Sequence, residues 1–429
     1  MKQWNTARGF LTVLLILSMA LPLSGCYDKR EIDELAYPLA IGLDVGQADT
    51  LRLTVQLAVP LEIGGGEGGG GGGGKSGGQD ESGSIITIDT PSLYSGLNLI
   101  NNTISKEINI SHIKTIVISK KLAETDINRY LHGIERGREF RPDIFLVVSN
   151  CPAEEYLKNV KPTLESNPSK YYELLLGKKF TAFYPSTRLN DFYYENESDY
   201  RQPVAILSDV SKYESSSDLN DAGLQGTATK GVEGKYEAGN IPIVAKQKNE
   251  VMGMAVFKGG KMVGHANGAE SVTYHLITGD YKYSYWTITD PLAEDRKIIM
   301  NVMQRKQPKI EIEMQGDHVV ATVRLNLEGD FTAIQSGQSY EDMPELIEQT
   351  LEASIREEVI AFLKRTTEEF DSDICGFGRY VKGKFLTWQD WENYKWFDRY
   401  RNTKFNVQVD LKIRRTGLMI QTIKGTAGG

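Results

Sequence analysis

The sequence is poor in cysteine, with three in 429 residues. That excludes a disulfide-stapled scaffold and a four-cysteine zinc site. A positive balance is also missing: 49 Lys and Arg stand against 57 Asp and Glu, a net charge of −8. This argues against a general nucleic-acid binder. Histidine is rare at five, and none of His112, His132, His265, His275 and His318 stands in an HExxH motif or pairs at i,i+4. No Gly-x-Ser-x-Gly elbow or Gly-x-Gly-x-x-Gly loop is framed by a strand and a helix. These gaps lower the case for an enzyme and leave an extracytoplasmic hydrolase with only its compartment in favour. Long apolar runs are absent too. The longest, Phe10 to Leu23, is interrupted by Thr12, Ser18 and Pro22 and falls short of the ~20 residues that span a bilayer.

What is present begins with an address. Residues 1–25 carry Lys2 and Arg8, no acid, and then that apolar run, the layout of a secretory signal. The run ends Leu23-Ser24-Gly25-Cys26, which resembles the bacterial lipobox. The expectation is cleavage before Cys26 and diacylglycerol on its thiol, two acyl chains giving stable anchoring. Ordinary secretion and an uncleaved anchor are the alternatives. Losing Lys2 and Arg8 leaves a body of net charge −10, so lipid rather than a basic patch must hold it at an anionic surface. No other cofactor and no metal is expected. Cys151 and Cys375 are either one disulfide or two unrelated thiols. Their 223-residue separation without a spacing signature favours the thiols.

The body divides by pattern. Residues 26–208 read as an N-terminal α/β domain. Strand-like stretches at 37–45 and 51–59 flank a hairpin loop, and strands at 113–118 and 144–148 alternate with helical patterns at 91–106 and 124–136. Within it, 64–78 holds 12 glycines in 15 residues, a density too entropic to hold a phosphate. This is a flexible insertion bridging two neighbouring strands. Residues 209–240 turn to Ser, Asp, Gly, Lys and Glu, a polar boundary segment. Residues 241–429 read as a C-terminal α+β domain with antiparallel strands, a hairpin at Gly259-Gly260, alternation over 310–327 and 407–413, and a long helix at 344–370. Glu352 and Arg356 stand at i,i+4 on that helix.

Two aromatic clusters stand out: Tyr281, Tyr283, Tyr285 and Trp286, then Trp388, Trp391, Tyr394, Trp396, Phe397 and Tyr400. Stacked rings bind small molecules or anchor interfaces. Helical spacing in the second favours an amphipathic helix with its aromatic face packed inward. His265 and His275, ten apart, are a weak metal pair.

Five segments in order resemble the C subunit of the spore germinant receptors. They are Cys26-Tyr27-Asp28-Lys29-Arg30-Glu31-Ile32 with Leu39–Asp44; Ile110–Lys114 and its strand; Phe257–Gly264 with Asn267-Gly268; Asp373–Tyr380; and Val409–Gly417. Tyr27 replaces the family's usual tryptophan, Cys375 replaces a bulky apolar residue, and the 64–78 tract exceeds the usual length. The resemblance implies an α+β fold of several mixed-sheet domains with flanking helices, anchored by an N-terminal lipid. It implies a non-enzymatic subunit on the outer face of the spore inner membrane, supporting assembly or signal coupling beside two integral membrane subunits, A and B. Direct small-molecule binding is not expected. The competing reading is an extracytoplasmic lipoprotein that captures a small nutrient. Arg379, Arg414 and Arg415 are candidate partner-interface anchors; the bland alternative is that Gly376 and Gly378 permit a tight turn and the arginines pair locally.

Overall fold

The computed structural model describes residues 9–12, 14, 31–58, 84–137, 140–165, 168–177, 181–221, 231–316, 318–340 and 343–415. Among them, eight strands form one mixed sheet. These are β1 Pro38–Val45, β2 Leu51–Leu57, β3 Ser84–Thr90, β4 Thr115–Ser119, β5 Phe145–Ser149, β6 Val204–Val210, β7 Asn249–Lys258 and β8 Lys261–Ala266. Their order is β8-β7-β6-β5-β4-β1-β2-β3. The centre, β6-β5-β4-β1, is parallel. It is buried on both faces, which is why β4 and β5 read as unbroken apolar runs. The strands flanking the Gly64–Gly78 tract, β2 and β3, pair antiparallel from Leu51↔Thr90 to Leu57↔Ser84; the tract lies outside the described residues.

Helices cover both faces. On one lie α1 Leu93–Ile100, α2 Asn128–Arg136 and α4 Leu189–Asn196, with Leu97, Leu131, Ile134 and Phe192 in the core. On the other lies α3 Ala153–Lys158 with Tyr156 and Leu157. The Leu39–Asp44 motif has a physical reason here. A Cβ at Gly42 would sit 3.1 Å from both Ala153 and Leu157, so glycine lets α3 press onto β1. Asp44, 6% exposed, accepts from the Ala153 and Glu154 N–H groups at 2.8 and 3.1 Å and caps α3. Helix α1 is shorter than the pattern predicts, and the Ser92 side chain caps it. The expected 124–136 helix begins only at Asn128.

The second sheet is formed by β9 Tyr283–Asp290, β10 Ala293–Gln304, β11 Lys309–Gln315, β12 His318–Ile334 and β13 Lys404–Arg415, with the two-residue strand Gly231–Val232 antiparallel to β9 as a sixth. Strand β12 organises it. Residues 318–324 pair with β11, 327–334 with β10, and β13 runs parallel along 320–330. Two helices pack on it: α5 Gly268–Thr278 and α6 Pro344–Glu368. Ile347, Leu351, Ile355, Val359 and Leu363 of α6 are all fully buried.

The structure corrects three expectations. The hairpin β7–β8, assigned with residues 241–429, extends the first sheet: β7 pairs antiparallel with β6 from Asn249↔Val210 to Val256↔Val204. The edge of β6 needs a partner, and 209–240 is long enough to loop back and supply one. Glu352 turns away from the expected i,i+4 role, its Oε1 accepting from Leu411 N–H at 2.9 Å. The aromatic stretch 388–400 is not one helix. It breaks at Lys395, φ 51°, between α8 Trp388–Tyr394 and the turn Trp396–Arg399. The break turns both Trp391 and Trp396 inward while Trp388 stays outside.

Candidate functional site

The densest polar chemistry lies where the halves meet. The 373–380 motif opens with Asp373, fully buried, whose carboxylate accepts from the Gly376, Phe377 and Gly378 N–H groups at 2.8, 3.0 and 2.8 Å and from Trp396 Nε1–H at 2.8 Å. Gly376 adopts φ +76°, the left-handed region the turn needs. Gly378 serves a different need. A Cβ there would lie 2.4 Å from Trp396 Nε1 and 2.6 Å from the Tyr200 carbonyl. After Gly376 the chain forms the short helix α7, Gly378–Lys382.

The turn clasps the segment leading into β6. Gln202 N–H donates to the Asp373 carbonyl at 2.9 Å, and the Gln202 side chain accepts from Gly259 N–H of the β7–β8 turn. Ser372 Oγ donates to the Phe257 carbonyl at 2.6 Å, and Lys258 pairs with Asp371 at 2.6 Å. Arg201 is the hub. It donates through Nε to the Ile374 carbonyl at 3.0 Å and through Nη2 to Tyr274 of α5, and pairs with Glu195 of α4 at 3.1 Å. On the outer side, Lys382 Nζ and Trp391 Nε1 both donate to Asp199, at 2.8 and 2.6 Å. Two of the five family-like segments, 257–264 and 373–380, thus converge on residues 199–202.

Burial sets the electrostatics. It pushes the Asp373 carboxyl up to about 6 despite its four donors. It pushes Glu195 up to about 7 against the opposing Arg201 guanidinium. Cys375 is raised well above the ordinary thiol range by the same burial, and Cys151 to about 12. Burial thus favours the neutral thiol over the nucleophilic thiolate at both, and among the described residues neither is in a disulfide.

Placement of the candidate residues is mixed. Cys26 lies outside the described residues, as does the side chain of Arg415. Arg379 is exposed on α7, which packs against β11. Arg414, next to last in β13, pairs with Glu328 at 3.3 Å while 62% exposed. The register sets it near residue 329 of β12, far along from the 318–324 stretch that faces β11; these arginines do not form one cluster. His265 pairs with Glu237 at 3.1 Å, and buried His275 meets the Tyr184 carbonyl at 3.2 Å. Among the described residues no group of three or more His, Cys, Asp or Glu is placed to hold a metal. The first aromatic cluster divides by strand alternation. Tyr281 and Trp286 are core, Trp286 Nε1 donating to Tyr281 Oη at 3.2 Å, while Tyr283 and Tyr285 face outward. Sequence reasoning missed Arg201 and Glu195. The cluster Glu195-Asn196-Glu197 reads as solvated loop charge, and only the fold pairs Glu195 with Arg201 under the 373–378 turn.

Such an arrangement defines a class: a mixed α/β protein whose buried charges lock two sheets together. Comparison with known proteins gives the particular case. The family described as "Spore germination protein N-terminal domain" matches residues 28–209, and "Spore germination B3/ GerAC like, C-terminal" matches residues 252–417. Spore germination protein KC of Bacillus subtilis (strain 168) is 25% identical over 426 residues, 96% of this chain and 97% of that protein. GerQC of Bacillus cereus is 21% identical over 73% of this chain and 77% of its own length. The crystal structure of the GerBC protein superposes with a TM-score of 0.52 at 14% identity, covering 87% of this chain and 96% of that one, and shows the same fold. The chain belongs to the GerAC family of spore germination proteins and is a C subunit of a germinant receptor.

Proposed function

We propose that this chain is the lipid-anchored coupling subunit of its receptor, held at the outer face of the spore inner membrane through diacylglycerol on Cys26. Two integral membrane subunits, A and B, are its partners, and it carries out no catalysis. Supporting this is one observation above others: spore germination protein KC aligns along 96% of this chain and 97% of its own length, a span that includes the junction and both sheets. A protein whose buried charges fasten its parts together is suited to transmit force or hold partners in register. Arg379 and Arg414, exposed on separate elements, are the interface anchors this reading offers to two different contacts. Confinement by lipid raises effective concentration, so each contact can be modest. The nutrient-capturing alternative loses support, because half of the rings that motivated it, Tyr281, Trp286, Trp391, Trp396 and Tyr400, are core, and Tyr394 and Phe397 pack against that core.

Deletion spores test the proposal. They should stay dormant in the receptor's nutrient yet germinate by a receptor-independent route. Normal nutrient germination, with no second receptor compensating, would overturn it. Cys26→Ala should release the protein from membranes or leave it uncut, read by fractionation and intact mass. A cut, anchored Cys26→Ala chain would refute lipidation.

A further inference from the structure

The surface formed by α7, α8 and the loop between them is unlike the rest of this acidic chain. From Arg379 to Gln389 there are Arg379, Lys382 and Lys384 and no acidic residue, and the exposed acids of α8, Asp390 and Glu392, follow only after Trp388. Leu386 is 100% exposed, Trp388 57% and Tyr380 40%. This exposure is built into the fold. Asp199 holds Lys382 Nζ, which lies 4.2 Å from the centre of the Trp388 ring and fixes the indole at the surface. Tyr194, also exposed, continues the aromatic surface through its hydroxyl contact with Tyr200 at 2.9 Å. Beside it lies an open cleft of about 510 Å³ whose lining includes Lys384, Leu386, Asp390, Tyr394 and Arg399. The Asp390 carboxylate accepts from the Thr387 hydroxyl at 2.7 Å, so two cations face the cleft against one engaged acid.

Position adds a second, independent argument. Strands β1 and β6 belong to the parallel centre of the first sheet, so both are entered from the same end. Residue 31 leads into β1, and Asp199 and Tyr200, which hold this surface, lead into β6. Glu31 follows Cys26 by five positions, a reach of at most about 17 Å. A lipid on Cys26 therefore brings that end of the sheet to the bilayer.

Aromatic rings, aliphatic side chains and Lys or Arg in one exposed surface are the composition of the membrane–water interface. We infer that the α7–α8 surface seats on the headgroup layer of an anionic lipid bilayer, with Leu386 and Trp388 entering the interface and Lys384 meeting lipid phosphates. The inference rests on the proposed anchor for proximity and adds an orientation: the body lies on the membrane by a fixed face. The basic residues act only over a Debye length, so the lipid anchors and this surface orients.

Tryptophan quenching tests it. The full chain purified from membranes is placed on vesicles of phosphatidylglycerol and phosphatidylcholine with brominated acyl chains. Trp4 leaves with residues 1–25 in the cut chain, and Trp286, Trp391 and Trp396 are at most 3% exposed, so quenching of the cut chain, verified by mass, reports Trp388. The expected result is clear quenching that vanishes in Trp388→Phe and weakens on phosphatidylcholine alone. In Lys384→Glu apparent binding of the surface should fall by about fivefold or more, as for removal of one basic contact, with the thermal midpoint unchanged. Absent quenching, quenching that survives Trp388→Phe, or indifference to both lipid charge and Lys384→Glu would overturn the inference. So would shielding of Trp388 only when the integral subunits are present, which would make the face a protein contact. A chain with hexahistidine in place of residues 1–26, held by nickel-chelating lipid, repeats the measurement without Cys26. Failure of the anchor, seen by mass, is thereby separated from failure of the surface.

Discussion

Asp373 shows how a single buried carboxylate organises a junction. Its four donors come from a turn and from Trp396, and its own carbonyl receives Gln202, so one residue ties three stretches of chain. The geometry leaves no space beside it. Gly378→Ala would drive a methyl into Trp396 and the Tyr200 carbonyl and should destabilise the protein by about 1–3 kcal/mol, the usual penalty of overpacking. A thermal melt with retained far-UV dichroism checks this. Glu195 gives a pH signature. Its carboxyl lies near 7 in the fold against an ordinary 4.5, so the folded state binds the extra proton. Stability from this group is greatest at low pH and declines as pH rises from about 4.5 to 7. Glu195→Gln should flatten the melting temperature across that window, and a variant that keeps the wild-type slope would assign the slope elsewhere. Because Asp373 also sits near 6, part of the slope should persist below pH 6.

At the scale of elements, α6 does more than bury an apolar stripe. Glu348 and Glu352 accept from Ile413 and Leu411 N–H at 2.8 and 2.9 Å, and Lys412 pairs with Glu348 at 3.0 Å. These carboxylates occupy backbone donors on the outer side of β13, which would otherwise be an open edge. Periodicity predicts α6 and β13 separately; nothing in either pattern says that acids on the helix serve the strand, because that depends on which side of β12 the strand is added. Strand and helix positions were legible because burial on one or two faces imposes period 2 or 3.6. Boundaries were less so. The 388–400 stretch has helical spacing, yet burying Trp391 and Trp396 in different places requires the left-handed Lys395 between them. For the Gly64–Gly78 tract, replacement by a short Gly-Ser loop should move the thermal midpoint by less than about ten degrees, since closure entropy changes by only about 0.6 kcal/mol per doubling of length. A larger shift would give the tract a structural role.

At the scale of the whole molecule, the boundary in sequence is not the boundary in space. The family matches stop at 209 and resume at 252, while the first sheet continues through β7 and β8 to Ala266. A chain ending at residue 210 should therefore unfold at a lower temperature than one ending at residue 266, because β6 loses its antiparallel partner. Equal midpoints in parallel melts would show that the hairpin is only an appendage. The sequence alone determined the signal-like leader with Cys26, the two kinds of sheet, the long helix, and the family through ordered short motifs. Each of these rests on local composition or on periodicity, which survive in one dimension. Tertiary structure decided that Arg201 and Glu195 share a junction with Asp373, that Arg379 and Arg414 stand apart, and that Leu386 and Trp388 are left outside. Those are facts about which surfaces meet, and distant residues meet only when strand order and register bring them together.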